Sequence, residues 1–259
     1  MNKKTVRINK LIDILKVRSF VSIKELSSVL NVSEMTIRRD LEILKDNNIA
    51  ENIYGTTVYN PAHTVAKSED EYNLLGETKK KNTQKDDIGR FAASLVNEDD
   101  IIIIDSGSTT ERIAASLPVD RNISVLCYNI NILMELRRNP GVKMIFAGGF
   151  YHSNTQMFEC PESIDFIKGV RAQKVFVSAA GVHSQLGVTC ANSYEVPVKR
   201  AILQSSLQKI LVTDSSKFDI VRPAFFCELD QIDVIVTDNN LSEDWRNRIS
   251  EAGITLYTV

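Results

Sequence analysis

The chain has 259 residues, of which 43% are hydrophobic and 25% are charged. These fractions are average for globular proteins and argue against a disordered or fibrous chain. The length suits a small domain followed by a larger one with its own core. No apolar run approaches the roughly 18 residues of a membrane span, and no signal peptide is recognisable. We therefore expect a cytoplasmic protein that makes no membrane contact.

The cysteines and histidines show no spacing typical of a metal site or a disulfide framework. The four cysteines lie far apart without a Cys-x-x-Cys pair, and the three histidines do not cluster near them. Metal ligands and disulfides follow recognisable spacings. We expect neither a metal nor another cofactor.

The formal net charge of −2 is unevenly distributed along the chain. Residues 1–59 contain 10 Lys and Arg against 7 Asp and Glu, a net charge of +3, and the remainder carries 21 against 26. Only local charge has to meet phosphate, so a basic first segment on an acidic body is compatible with DNA contact by that segment alone.

Two helices are predicted in the first thirty residues. The first is predicted by apolar residues at helical spacing, which are Ile8, Leu11, Ile12 and Leu15. The second is short and begins at a Ser-x-x-Glu capping box formed by Ser22 and Glu25. Its apolar face comprises Leu26, Val29 and Leu30.

A third helix follows after about three residues, with Ser33 as its N-cap and Ile37, Leu41 and Leu44 on one face. This order is typical of a helix-turn-helix. The polar face predicts DNA contact in the major groove. The predicted DNA-binding residues are Ser33, Glu34, Met35, Thr36, Arg38 and Arg39. The alternative is a solvated face on which Arg38 or Arg39 pairs with Asp40 or Glu42.

A β-hairpin wing beside the third helix is predicted from Ile49 to Tyr59, where the sequence alternates loosely around Gly55. Residues 60–85 are polar and include the run Lys79 to Lys81, which predicts a linker. The predicted domains are a winged helix-turn-helix at 1–59, a linker at 60–85 and an effector-binding α/β domain at 86–259.

Seven apolar runs alternate with helical stretches in the remaining chain. Several are apolar at every position, which predicts strands buried on both faces in a parallel sheet covered by helices. The predicted strands are Ile101–Ile104, Ile123–Cys127, Val142–Ala147, Lys174–Ala179, Ile210–Thr213, Val234–Thr237 and Ile254–Tyr257. The expected fold class is therefore α/β.

A candidate phosphate site follows the first of these strands. The segment Asp105-Ser106-Gly107-Ser108-Thr109-Thr110 leads from Ile101–Ile104 directly into a helical stretch. A turn of this kind offers backbone N–H groups, hydroxyls and the positive end of a helix dipole to one anion. The alternative is that Ser and Thr only cap the helix.

Further turns follow other strands and are expected to converge with the first, because the carboxyl ends of parallel strands line the ligand crevice of an open sheet. These turns contain Tyr128-Asn129, Gly148-Gly149, Gly181 and Asp214-Ser215-Ser216-Lys217. Lys217 would neutralise a phosphate, or it is an ordinary surface lysine. Glu195 and Lys199 stand four apart, which is also the spacing of a surface ion pair on a helix.

Taken together, these segments resemble the DeoR family of bacterial sugar-catabolism regulators. The resemblance is carried by Val32-Ser33, Thr36 through Leu41, Asp105 through Thr110, Gly148-Gly149, Lys199 and Asp214 through Phe218. It implies a winged helix-turn-helix followed by a domain similar to ribose-5-phosphate isomerase. It also implies operator DNA and a phosphorylated sugar as partners, and assembly into a homo-oligomer.

Other stretches are similar to the members of this family that regulate deoxyribonucleoside catabolism. They are Ser33 through Thr36, Cys127-Tyr128, Ala179 through His183, Thr189-Cys190, Pro197 through Lys199 and Val221 through Ala224. This likeness implies that deoxyribose 5-phosphate is the inducer of a repressor.

The turns and the resemblance together assign an effector site. Ser108, Thr109 and Lys217 are expected to hold the phosphate, with Asp105 and Lys199 nearer the sugar hydroxyls. The full set is Asp105, Ser106, Gly107, Ser108, Thr109, Thr110, Tyr128, Asn129, Gly148, Gly181, Glu195, Lys199, Asp214 and Lys217.

The competing interpretation is a sugar-phosphate isomerase with an appended DNA-binding domain. An isomerase needs a carboxylate base beside the sugar carbons, which Asp105 or Glu195 would offer. The Lys- and Gly-rich segment that accompanies the base in such isomerases is not found. We expect a regulator rather than an enzyme and assign no catalytic residue.

Overall fold

The computed structural model describes two compact units, Met1–Glu71 and Tyr72–Val259. The residues that it describes are 7, 8, 10, 11, 14, 23–46, 50–53, 56–59, 74, 76 and 82–259. Most of the predicted linker, residues 60–85, lies outside them.

The smaller unit confirms the predicted helix-turn-helix. Residues 7, 8, 10, 11 and 14 are helical, whereas Ile12, Leu15 and Ser22 lie outside the described residues. Two helices follow, α1 (Ile23–Leu30) and α2 (Glu34–Asp46). The side chains of Leu11, Leu26, Ile37, Leu41 and Leu44 form the buried core. One apolar face of each helix therefore supplies this core, as the helical spacing predicts.

The turn between α1 and α2 is closed by hydroxyl groups. Ser27 Oγ donates to the carbonyl of Val32 at 2.6 Å, and Ser33 Oγ accepts from the N–H of Thr36 at 3.3 Å. Ser33 is thus the N-cap that the sequence predicts. Strands β1 (Ala50–Ile53) and β2 (Thr56–Tyr59) then pair antiparallel, and β1 contacts α2, which confirms the hairpin beside the third predicted helix.

The larger unit is built on seven parallel strands in the order β14-β13-β11-β8-β3-β4-β5. These strands are β3 (Ile101–Ile104), β4 (Ile123–Cys127), β5 (Val142–Phe146), β8 (Ala172–Val177), β11 (Ser206–Val212), β13 (Val234–Thr237) and β14 (Thr255–Thr258). Ile102 and Ile104 enter one core cluster and Ile103 the other, so β3 is buried on both faces. The continuous apolar runs therefore predicted the parallel sheet correctly.

Helices cover both faces of this sheet. The helices are α3 (Asn82–Ser94), α4 (Ser108–Ser116), α5 (Ile130–Leu136), α6 (Pro161–Gly169), α7 (Glu195–Gln204) and α8 (Glu243–Glu251). The first three share one core cluster, which includes Ile88 and Ile113, and the last three share the other, which includes Val198 and Trp245. This is a doubly wound α/β layer arrangement.

Five short antiparallel strands were not predicted. They are β6 (Phe150–His152), β7 (Met157–Glu159), β9 (Gly181–His183), β10 (Gly187–Cys190) and β12 (Ala224–Cys227). β6 pairs with β7, and β10 lies between β12 and β9. Segments of three or four residues are too short to show a period, so their pairing is decided by the tertiary structure.

Three predicted strands match the observed bounds, one differs by a residue at its end, and the other three differ at both ends by one to four residues. A larger difference concerns the linker, because α3 begins at Asn82 and residues 82–85 are helical rather than linker. The side chain of Lys85 is 2% exposed. The predicted linker therefore contained a buried cation of the larger unit.

The order of the sheet strands defines where a crevice forms. From β3 the chain proceeds through β4 to β5 at one edge, whereas from β8 it proceeds through β11 to β14 at the other. β3 and β8 are neighbours, so the direction of winding reverses between them. Ligands of open α/β sheets bind outside the carboxyl ends of the strands at this point.

Candidate functional site

A narrow polar cleft lies at the carboxyl ends of β3, β8 and β11. Seven of the predicted effector residues line it, which are Gly107, Ser108, Thr109, Glu195, Lys199, Asp214 and Lys217. The other lining residues are Lys85, Ser178, Ala179, Ala180, Cys190, Ala191, Val212 and Thr213.

The N-terminus of α4 supplies one end of the cleft. Gly107 is its N-cap and makes no side-chain cap, while Ser108 and Thr109 occupy the first two helical positions. Among the described residues, the N–H groups of Ser108 and Thr109 have no acceptor and their hydroxyls have no partner. Thr110 Oγ1 instead donates to the carbonyl of Gly107 at 2.9 Å. The capping alternative therefore does not apply to Ser108 or Thr109, and the free donors suit an anion.

Gly107 is required by a close approach of the neighbouring strand. A Cβ at this position would lie 2.8 Å from both Cβ and Oγ of Ser178, which follows β8. Two loops can approach closely only if one of them lacks a side chain here. The glycine therefore lets the carboxyl ends of β3 and β8 meet at the cleft.

Besides Lys199, two lysines line the cleft from different directions. Lys217 ends a 3₁₀ turn, Ser215–Lys217, that follows β11, and Lys85 belongs to the first turn of α3. Lys217 was predicted, whereas Lys85 was missed because it was assigned to the linker. Lys85 stands three and seven residues before Ile88 and Ala92, which are buried. A lysine on the apolar stripe of a helix was thus the signal that could have identified it.

The turn that carries Lys217 is held by two carboxylates. Asp214 Oδ1 accepts from the N–H of Ser216 at 3.1 Å, and Asp238 accepts from the N–H and Oγ of Ser215 at 2.7 and 2.9 Å. Burial alone would raise the pKa of Asp238, but the bonds from Ser215 and Asn240 lower it below its ordinary value. The turn is therefore fixed by charged hydrogen bonds before any ligand arrives.

A buried ion pair joins Lys199, which lines the cleft, to Asp105, which does not. Lys199 Nζ lies 2.5 Å from Asp105 Oδ2, and the two side chains are 2% and 0% exposed. Asp105 Oδ2 also accepts from the N–H and Oγ of Ser178 at 2.8 and 3.0 Å, and Tyr128 OH donates to Asp105 Oδ1. Asp105 thus orients Lys199 and the loop after β8, rather than lining the cleft as predicted.

Burial and the charges of this cluster shift the pKa values of its members. Burial alone would lower the pKa of Lys199, but the charges of Asp105 and Glu195 raise it overall. Burial raises the pKa of Glu195, although Lys199 opposes this effect. Burial and the charge of Asp105 raise the pKa of Tyr128. Glu195 and Lys199 are both buried, so the alternative of an ordinary surface pair is wrong.

Six predicted residues other than Asp105 do not line the cleft. Ser106, Thr110, Tyr128 and Asn129 are buried, Gly181 follows the lining residue Ala180, and Gly148 is not a lining residue either. A Cβ at Gly181 would lie 2.4 Å from the carbonyl oxygen of Ile220, so packing accounts for this glycine. Ser178 was not predicted, since a single serine after a strand has no distinctive pattern.

The polar face of α2 is open. Ser33, Glu34, Met35, Arg38 and Arg39 are exposed, and Thr36 is half-buried. The carboxylate of Asp40 is 2% exposed and pairs with Arg7, with Nε–Oδ2 at 2.5 Å and Nη2–Oδ1 at 3.1 Å.

No ion pair within the described residues joins Arg38 or Arg39 to Asp40 or Glu42. The paired alternative therefore does not describe this face. The arginines remain available to DNA bases or phosphates.

None of the helices in the described ranges is long and apolar enough to cross a membrane. A helix-turn-helix with exposed arginines, followed by an α/β unit with a polar cleft at the carboxyl ends of its strands, defines a DNA-binding regulator with a sensor domain. Comparison with known families agrees with this class. Residues 7–62 match the DeoR-like helix-turn-helix domain, and residues 80–239 match the DeoR C terminal sensor domain. The chain belongs to the DeoR family of transcription regulators.

Individual relatives cover nearly the whole chain. The deoxyribose operon repressor of Escherichia coli is 32% identical over 90% of this chain and 89% of its own. The lactose phosphotransferase system repressor of Lactococcus lactis is 30% identical over 97% of each chain. The regulator GolR of Listeria innocua is 28% identical over 96% of each chain.

Among solved structures, ribose 5-phosphate isomerase A of Methanocaldococcus jannaschii is similar over 54% of this chain and 55% of that chain. The TM-score is 0.41 and the identity 11%. A likeness at that level does not indicate a shared function.

Proposed function

We propose that this chain is a repressor of sugar or deoxyribonucleoside catabolism genes that a phosphorylated sugar, deoxyribose 5-phosphate, releases from its operator. The helix-turn-helix binds operator DNA through the exposed face of α2, and the cleft of the larger unit binds the sugar phosphate. The chain acts as a homo-oligomer, because two recognition helices are needed to occupy two half-sites.

The observation that carries this proposal is the composition of the cleft. The unoccupied N–H groups and hydroxyls of Ser108 and Thr109 lie in the same cleft as Lys85 and Lys217. A phosphate group would receive backbone donors at the helix N-terminus and positive charge from both lysines. Glu195 also lines the cleft and is suited to accept from sugar hydroxyls.

The relatives support the sugar class of the ligand. Two of them are named as repressors of deoxyribose and lactose systems. The region similar to this chain covers at least 89% of the length of each. The identity to the deoxyribose operon repressor, 32%, is the reason for proposing deoxyribose 5-phosphate rather than another sugar phosphate.

The isomerase alternative has less support from the geometry. Both oxygens of Asp105 accept hydrogen bonds, and its side chain is fully buried behind the cleft. A general base must reach the proton that it removes, directly or through one water. Glu195 lines the cleft, but Oε1 already accepts from the N–H and Nδ2 of Asn192, both at 2.9 Å.

The test is to titrate sugar phosphates into a preformed complex of the protein with its operator. The panel comprises deoxyribose 5-phosphate, ribose 5-phosphate, fructose 1-phosphate, tagatose 6-phosphate and glycerol 3-phosphate. We expect deoxyribose 5-phosphate to dissociate the complex and also to raise the melting temperature of the protein without DNA. Dissociation by a different member of the panel would refute the identity of the effector, and dissociation by none would refute ligand-controlled repression.

A further inference from the structure

The turn between β6 and β7, residues 153–156, is bonded on one side to Ser106 and Asn192, which lie next to cleft-lining residues, and on the other to Leu74. We propose that this β6–β7 turn couples effector binding to the chain segment that leads to the DNA-binding unit. The inference rests on the proposed function, because it explains how occupation of the cleft would reach the helix-turn-helix. The turn does not line the cleft, so its role is to position other groups.

On the side of the phosphate loop, two bonds fasten the turn. Ser106 Oγ donates to the carbonyl of Thr155 at 3.0 Å, and this bond is buried. The N–H of Ile130, the first residue of α5, donates to the carbonyl of Gln156 at 2.9 Å. Ser106 is two residues before Ser108, whose N–H and hydroxyl are free to bind an anion. A shift of that loop on ligand binding therefore reaches Thr155 directly.

A second set of bonds joins the turn to α7. Tyr194 is the N-cap of α7, and its OH donates to Asn154 Oδ1 at 2.7 Å. Asn154 Nδ2 donates to Asn192 Oδ1 at 3.4 Å, and Asn192 in turn donates to Glu195 of the cleft. The side chain of Asn154 is thus hydrogen-bonded to the start of the helix that carries Glu195 and Lys199.

The remaining contact joins the turn to Leu74, which does not line the cleft. The carbonyl of Asn154 accepts from the N–H of Leu74 at 2.8 Å, and the Leu74 side chain is 1% exposed. The two compact units meet in the chain at Glu71 and Tyr72. Leu74 therefore anchors the connecting segment to the sensor unit within three residues of that boundary.

These bonds form a continuous physical path, because the same residue, Asn154, faces α7 with its side chain and Leu74 with its backbone. Gln156 in this turn has φ of 54°, in the left-handed region that side chains rarely adopt, so the surrounding bonds must hold the turn in place. A hydrogen-bond network couples two sites only if breaking a bond at one site changes the other. Here, breaking the bonds of Tyr194 should change the hydrogen bond of the Leu74 amide, which can be measured.

The first measurement is hydrogen exchange of the full-length protein without ligand. Tyr194→Phe removes the hydroxyl that bonds Asn154 Oδ1 at 2.7 Å and Thr155 Oγ1 at 3.2 Å, but keeps the ring, which stacks on His152 with centroids 3.8 Å apart. We expect the Leu74 amide to exchange about 2- to 10-fold faster, because a lost hydrogen bond generally costs about 0.5–1.5 kcal/mol. The control is Tyr151→Phe in the same hairpin, because the Tyr151 hydroxyl has no partner among the described residues. Equal exchange at Leu74 in both variants would overturn the path.

The second measurement is the ratio of operator dissociation constants with and without saturating deoxyribose 5-phosphate. We expect Tyr194→Phe and Asn154→Ala to bind operator and ligand separately as the wild type does, but to lower this ratio by about threefold or more. A purely structural role would weaken ligand or operator binding and leave the ratio unchanged.

An unchanged ratio in both variants, with exchange at Leu74 accelerated, would refute regulation through the turn. A wild-type ratio of one would instead refute the proposed function, while exchange at Leu74 would still decide whether the path exists.

Discussion

Replacing Lys199 by methionine tests the buried ion pair behind the cleft. The substitution retains the length of the side chain but leaves Asp105, which is 0% exposed, without its cation. Removing one partner of a buried pair generally destabilises a protein by about 3–5 kcal/mol. Asp105 would keep its bonds from Ser178 and Tyr128, so we expect a loss near the lower limit, about 3 kcal/mol.

The assay is urea unfolding followed by the fluorescence of Trp245. It is the only tryptophan of the chain, is 3% exposed and lies in the larger unit, so it reports unfolding of that unit. The raised pKa of Lys199 means that its contribution is fully present below 10.5, its ordinary value, and is lost only as pH rises through the folded pKa. The expected loss should therefore be constant around neutral pH.

Two further variants make the result decisive. The double variant Lys199→Met with Asp105→Asn removes both charges, so it should be clearly more stable than Lys199→Met alone. Lys168→Met is the matched surface control, because Lys168 is 52% exposed, and it should change stability by less than about 0.5 kcal/mol. A loss below about 1 kcal/mol for Lys199→Met, or a double variant that is no better, would contradict the reasoning.

Three other outcomes follow from the two sites. Arg38→Ala and Arg39→Ala should each weaken operator binding by about 1–3 kcal/mol in gel-shift titration at fixed salt, with unchanged ligand affinity; wild-type operator affinity in both would remove α2 from the interface. Lys217→Ala should bind operator normally but lose affinity for deoxyribose 5-phosphate in calorimetry, and retained affinity would exclude Lys217 from the site. Gly107→Ala should lower the stability of the larger unit by about 1–3 kcal/mol, since its Cβ would lie 2.8 Å from Ser178; unchanged urea unfolding would contradict that contact.

The architecture of both units could be predicted because it depends on local periodicity. Apolar residues at helical spacing bury Leu26 and Ile37, and uninterrupted apolar runs form β3, β4 and β13 within the bounds expected. The candidate phosphate loop was also recognisable, since a strand, a glycine and a helix N-terminus are consecutive in the chain. Each of these features is complete within about fifteen residues.

The chemistry of the cleft could be predicted only in part, because its residues are distant in sequence. Asp105 and Lys199 are separated by 94 positions, so their pairing depends on β8 lying beside β3 and on the packing of α7. Glu195 and Lys199 were predicted as effector residues, but their spacing was equally compatible with a surface pair. Asp105 was predicted to contact the ligand. In the structure it is fully buried and orients Lys199, and burial cannot be read from the sequence.

Lys85 shows the same division between local pattern and tertiary structure. A lysine after a polar, basic run is usually solvated, and the sequence around it resembled a linker. The structure extends α3 back to Asn82 and buries Lys85 in the cleft. The amino-acid sequence by itself determined the helix-turn-helix, the parallel strands and the loop at Gly107, since short-range spacing encodes them. Only the tertiary structure decided which charges share the cleft, because electrostatic pairing depends on distances that packing sets.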